Sequence, residues 1–153
     1  MFCWYLNSKA GIYFDKRPSV GVRYYIPSMT KEEKRIIEKY PFICRKELSV
    51  RLKDIRKNEE YIFSIPKGYC YDGASVPRFF WRIIGSNYDN RFLIPALIHD
   101  VLCEHHEYIK NDRSFSTDVF NALLESSGVY FLKRFFMKNS VALYQTIFCG
   151  WSK

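Results

Sequence analysis

The run Leu93-Ile94-Pro95-Ala96-Leu97-Ile98-His99-Asp100-Val101-Leu102 sets a His-Asp pair inside a helix-length stretch whose other residues are apolar on every side. A helix that is apolar all round is a buried one. A buried carboxylate without partners is very costly, and a buried imidazole has two ring nitrogens to satisfy. The fold therefore has to bring polar groups to His99 and Asp100. They can form a structural hydrogen-bond network, or a site that carries chemistry.

Two segments can supply the partners. The first is Asp72-Gly73-Ala74-Ser75-Val76-Pro77-Arg78, a loop sequence in which glycine allows positive φ and Pro77 holds Val76 extended. Its polar groups are Asp72, Ser75 and Arg78. The second is Asp118, in the first turn of the next helical stretch. About eight residues join the two helices, short enough to make them antiparallel neighbours. Counted along the axis at about 1.5 Å per residue, His99 and Asp118 are offset by about one turn. Asp118 is then a candidate to orient His99 as a general base.

The remaining texture predicts an α+β class, with a small antiparallel sheet in the N-terminal half and a helical C-terminal half containing an antiparallel helix pair. Strands are expected at Ile12 to Phe14, Val20 to Ile26, Leu48 to Leu52 and Tyr61 to Ile65, the last two as hairpin partners. Thr30 followed by Glu33 is a capping box for a helix ending before Pro41. Later helices are expected over about Asn90 to His106, Ser116 to Ser127 and Val129 to Cys149. Pro95 is tolerable only near the start of the first, Ser114 or Ser116 caps the second, and Gly128 ends it. At 153 residues the chain fits one domain, 1–153.

A net charge of +8 favours polyanionic neighbours: anionic lipid, nucleic acid or an acidic protein. No zinc-finger or RNA-recognition signature accompanies it, which argues against sequence-specific nucleic-acid reading. The aromatic and basic last helix (Phe131, Phe135, Phe136 with Lys133, Arg134, Lys138) reads as core plus a solvated face rather than a membrane-binding surface. Five widely spaced cysteines without a CxxC pair predict reduced thiols. The N-terminus MFCWYLNSK does not read as a signal peptide, and no stretch of about twenty apolar residues predicts a transmembrane segment.

The motifs Ile65-Pro66-Lys67-Gly68-Tyr69, Asp72 to Arg78, Ala96-Leu97-Ile98-His99-Asp100 and Thr117-Asp118-Val119-Phe120 together resemble the phage-associated family of unknown function 1353 (DUF1353) over about Leu48 to Gly150. Cys103 stands where that family often has an aromatic residue, and Ser114 where it usually has an arginine. The resemblance implies a phage or prophage protein, placed in the host cytoplasm or the virion. More locally, Gly68 to Gly73 and His99-Asp100-Val101-Leu102-Cys103 look like the calcium loop and His-Asp helix of secreted phospholipases A2, though without their dense disulfides. That likeness implies His99 as a base activating water, Asp118 as its orienter, and Asp100 with Asp72 as ligands to a divalent metal such as calcium.

Two lesser constellations are a Ser75–His99–Asp118 triad, which lacks a GxSxG elbow, and a zinc site at Cys103, His106 and His99, which lacks a second ligand cluster. The leading expectation is a metal-assisted hydrolase with His99, Asp118 and Ser75 as catalytic candidates, Asp72 and Arg78 as binding groups, and Asp100 with Asp72 as the metal pair. Its rival is a non-enzymatic virion component, or a binder of a phage or host protein, in which the same residues lock helices to loop. A catalytic His99 has to open to a cleft, whereas a lock can be sealed.

Overall fold

The computed structural model describes residues 2–7, 9–73 and 90–148, and side chains for all of these except 2–6, 141 and 143–148. It is an α+β fold in which two antiparallel sheets precede a helical half. The larger sheet has the order β1-β2-β5-β6, from β1 (Phe2–Leu6), β2 (Ala10–Phe14), β5 (Leu48–Asp54) and β6 (Glu59–Ile65). The smaller has the order β3-β4-β7, from β3 (Val20–Val22), β4 (Phe42–Cys44) and β7 (Cys70–Tyr71).

Period-two patterning builds the larger sheet. Leu48, Val50, Leu52 and Asp54 point inward along β5, and Tyr61, Phe63 and Ile65 along β6. The hairpin register sets Val50 opposite Phe63 and Leu52 opposite Tyr61, so the inward faces coincide. β2 continues the same face with Ile12 opposite Leu52 and Phe14 opposite Val50. The turn between β5 and β6 is held by Asp54, whose Oδ1 accepts from the amides of Arg56 (3.1 Å) and Lys57 (3.4 Å).

Thr30 and Glu33 form both halves of the capping box of α1 (Lys31–Lys39). The strand expected over Val20 to Ile26 stops at Val22. Its partner β4 begins only after Pro41, whose carbonyl takes the Arg23 amide at 2.6 Å, and Tyr24, Tyr25 and Ile26 run exposed.

The helical half comprises α2 (Asn90–Glu104), the single turn α3 (His106–Ile109), α4 (Arg113–Ser126) and α5 (Phe131–Phe148). α2 and α4 pack together, α4 lies on the larger sheet, and α5 packs on α4. Pro95 is the sixth residue of α2 and the helix runs on through it, so the proline removes one backbone donor without ending the helix. Neither Ser114 nor Ser116 caps α4. Asp112 does, accepting from the Phe115 amide at 2.7 Å, which starts the helix three residues before Ser116. Gly128, with φ +83°, ends the turn after it.

Asp112 also holds Lys57 at 2.6 Å. Burial pushes its carboxyl up, but the Lys57 ammonium and the Phe115 amide outweigh this and hold it below the usual carboxylate range. Asp112→Ala is expected to cost about 1 kcal/mol, a fall of about 2–4 °C in Tm. Asp112→Asn, which keeps the cap and loses the ion pair, should lose less than half of that in the same thermal unfolding measurement.

Candidate functional site

α2 carries His99 and Asp100 into the interior, as its apolar surroundings require. His99 is 7% exposed. Its ring packs against Phe120 of α4, centroids 5.0 Å apart, and the Cys103 Sγ lies 3.6 Å from Nε2 and 3.8 Å from Nδ1. Burial disfavours the imidazolium and pushes His99 down to about 4, so the ring is neutral at neutral pH. Asp100 Oδ1 lies 3.8 Å from Nδ1.

Asp100 meets the end of β7. Its Oδ2 accepts from the Gly73 amide at 3.2 Å, and its carboxyl makes a side-chain hydrogen bond with Asp72. Burial first, then the charges of Asp72 and Glu104, push Asp100 well above the ordinary carboxylate range, while the Gly73 amide pulls it down. In its protonated form Asp100 donates to Asp72, which makes two adjacent carboxyls compatible. Gly73 is required here on two counts: φ is +88°, and a Cβ would run into the Phe42 ring. Beside the pair, Tyr69 donates to Glu104 across the same strand–helix junction, and Tyr71 donates to the Leu93 carbonyl at 2.8 Å. Burial, reinforced at Tyr69 by the bond to Glu104, raises both phenols.

The structure thus brings together Asp72, Asp100 and His99. It does not bring Asp118 to His99. Asp118 and Phe120 are two residues apart on α4, about 200° around the helix, so with Phe120 facing His99 the Asp118 carboxylate faces away. There Arg56 Nη2 lies 2.8 Å from Oδ2, an ion pair rather than an aligned hydrogen bond, and Lys9 and Lys138 lie 3.8 and 3.9 Å from Oδ1. The orienting role expected for Asp118, and with it the Ser75–His99–Asp118 triad, is overturned by this rotation. Ser75 and Arg78 lie outside the described residues.

For a divalent ion, Asp72 and Asp100 supply two carboxyls, with one Asp100 oxygen already taking the Gly73 amide. Calcium takes about 6–8 oxygens. Among the described residues no group of three or more His, Cys, Asp or Glu is placed to hold a metal, so these two carboxyls do not make a cation site by themselves. The zinc alternative fares no better: His106 Nδ1 lies 2.8 Å from the Cys103 carbonyl and closes the end of α2. Cys44, Cys70 and Cys103 carry thiols, not disulfides.

Sequence reasoning missed Glu104, and it named Tyr69 and Phe120 within motifs without assigning them to the site. A signal existed for Phe120, two residues from Asp118 and so opposite it on the helix. It also missed Asp54, although the alternation of β5 already turned position 54 inward.

A family model described as "Protein of unknown function (DUF1353)" matches residues 48–141. The "Uncharacterized protein y4jT" of Sinorhizobium fredii (strain NBRC 101917 / NGR234) is 45% identical over 40 residues. That match takes in 26% of this chain and 12% of the relative, so the chain spans far less than two-thirds of that protein's length. No solved structure matches.

Proposed function

The chain belongs to the DUF1353 family of proteins of unknown function, and on that premise we propose that it is a phage- or prophage-type protein that works by binding rather than by catalysis. In this reading it acts in the host cytoplasm or the virion, on a phage or host component. The observation that carries the reading is the state of His99: 7% exposed, neutral, and set between Cys103 and Phe120. A general base has to reach a substrate proton directly or through one water. His99 and Asp100 instead lock α2 to α4 and to the end of β7.

A hydrolase remains a second reading because of one feature. The Asp72–Asp100 carboxyl pair stands beside Tyr69, and Tyr69 also lines an apolar cleft of about 360 Å³ with Phe63, Ile65, Val101 and His105. A carboxyl kept protonated beside a cleft is a competent general acid.

The test joins genetics to biophysics. A phage or prophage carrying this reading frame with His99→Gln, grown where the variant is folded and soluble, is expected to give the parent's yield. A folded His99→Gln protein that fails to support yield sinks the binding reading. So does hydrolysis of a chromogenic ester panel, with calcium present, by the parent and not by the variant.

A further inference from the structure

The start of α5 departs from the pattern of a helix with its aromatic residues turned inward. Tyr130, Phe131, Leu132 and Phe135 are each more than half exposed, whereas Met137 and Ser140 face the protein. The Phe131 and Phe135 rings lie one above the other, centroids 6.4 Å apart, and Leu132 flanks them. Of the aromatics expected in the core, Phe136 packs against it, but Phe131 and Phe135 do not, because α5 meets α4 along the Met137 and Ser140 side and positions 131 and 135 lie about 120–180° from those two residues.

The charged residues of α5 itself are all cationic. No Asp or Glu follows Glu125 in the chain, while Lys133, Arg134 and Lys138 lie on the first two turns of α5. Arg134 is paired with Glu125 at 2.8 Å. Lys133 sits 5.5 Å from the Tyr130 ring centroid. Lys138, one turn beyond Phe135, joins Lys9 and Arg56 around Asp118, three cations about one carboxylate. With no acid in its first turn, the helix also leaves the partial positive charge of its amide end uncompensated.

The geometry points to a peripheral contact with an anionic lipid surface: Tyr130, Phe131, Leu132 and Phe135 enter the headgroup–acyl boundary, and Lys133 and Lys138 meet lipid phosphates. Apolar wedge and cationic rim are the two components such contacts combine. The patch fits lipid better than single-stranded nucleic acid, because Leu132, in the middle of it, has no face on which a base can stack. This deepens the binding reading above by naming a partner surface, but it is tested without touching His99, so either can fail alone.

The experiment is co-sedimentation of the protein with vesicles of phosphatidylcholine alone and of phosphatidylcholine with phosphatidylglycerol, at low and high salt. Binding is expected to the anionic vesicles only and to weaken with salt. Phe131→Ser with Phe135→Ser should lower the partition coefficient about tenfold or more. Lys133→Gln and Lys138→Gln should each lower it about fivefold. Unfolding midpoints serve as the control for fold, since the substituted phenylalanines are exposed. Absence of vesicle binding, equal binding to both compositions, or full binding by the double phenylalanine variant would overturn the proposal. It would equally be overturned if the phenylalanine variant instead lost binding to a single-stranded oligonucleotide, or lost a concentration-dependent dimer in light scattering.

Discussion

Arg56→Met is expected to lower stability by about 2–3 kcal/mol, a fall of roughly 5–10 °C in the thermal midpoint for a chain of this size. The substitution keeps most of the aliphatic stem and removes the charge. Two carboxylates inside the fold depend on that charge. Asp118 is 6% exposed with Arg56 Nη2 2.8 Å away, and Asp54 is fully buried with Arg56 Nε 3.8 Å away. Removing the cation from a buried pair leaves desolvated negative charge behind, which is why such truncations cost more than the intact pair contributes. Lys9 and Lys138 stay near Asp118 Oδ1 and compensate in part, so the estimate sits below the usual range for a buried pair. Asp118→Asn in the Arg56→Met background should recover part of the loss, giving a coupling of about 1 kcal/mol or more in a double-mutant cycle. If Arg56→Met shifts the midpoint by less than about 2 °C, Arg56 does not hold these carboxylates, and the pairing of Asp118 with Arg56 falls with it.

The Asp118 result shows where sequence reading reaches its limit. Elements fixed by near neighbours along the chain are legible. Thr30 and Glu33 cap α1 as their spacing requires, and the alternation through Leu48 to Leu52 and Tyr61 to Ile65 names both partners of a hairpin and their inward faces. The apolar surroundings of His99 and Asp100 correctly require burial, and Asp72 is a polar partner that meets Asp100. Illegible were relations that depend on rotation about a helix axis and on which strand a helix covers. An axial offset of one turn put Asp118 near His99, but about 200° between positions 118 and 120 decides which of the two residues gets there. In the same way nothing local couples Tyr69 to Glu104, because that contact exists only where the end of β7 meets α2. The cap of α4 was a choice among neighbouring polar residues. Asp112 prevails because its extended backbone places a carboxylate on the Phe115 amide.

His99 and Asp100 should give stability two pH dependences of opposite sign, and separating them is the sharpest check on the buried pair. The unfolded histidine titrates near 6.5 and the folded one at about 4. Across that window the unfolded chain binds a proton that the folded chain refuses, so this residue makes stability rise with pH, by about 3 kcal/mol over the whole interval. Asp100 acts the other way. Its folded carboxyl keeps a proton well above the ordinary value of 3.8 that the unfolded chain has lost, so its contribution falls as pH rises through the same interval and beyond. In the parent the two arms oppose each other. Asp100→Asn preserves an acceptor for the Gly73 amide and a donor for Asp72 but no longer titrates, leaving the rising arm of His99 alone. His99→Gln leaves the falling arm of Asp100. Urea unfolding from about pH 4.5 to 6.5 is therefore expected to show Asp100→Asn gaining stability relative to the parent as pH rises, and His99→Gln losing it. Glu33 and Asp112, both held below the usual carboxylate range, contribute equally to parent and variants and drop out of the differences. A His99→Gln difference curve that is flat across the interval would mean that the imidazole titrates as it does in the unfolded chain. His99 would then be open to solvent, and the case for a sealed lock would give way to one for a catalytic base.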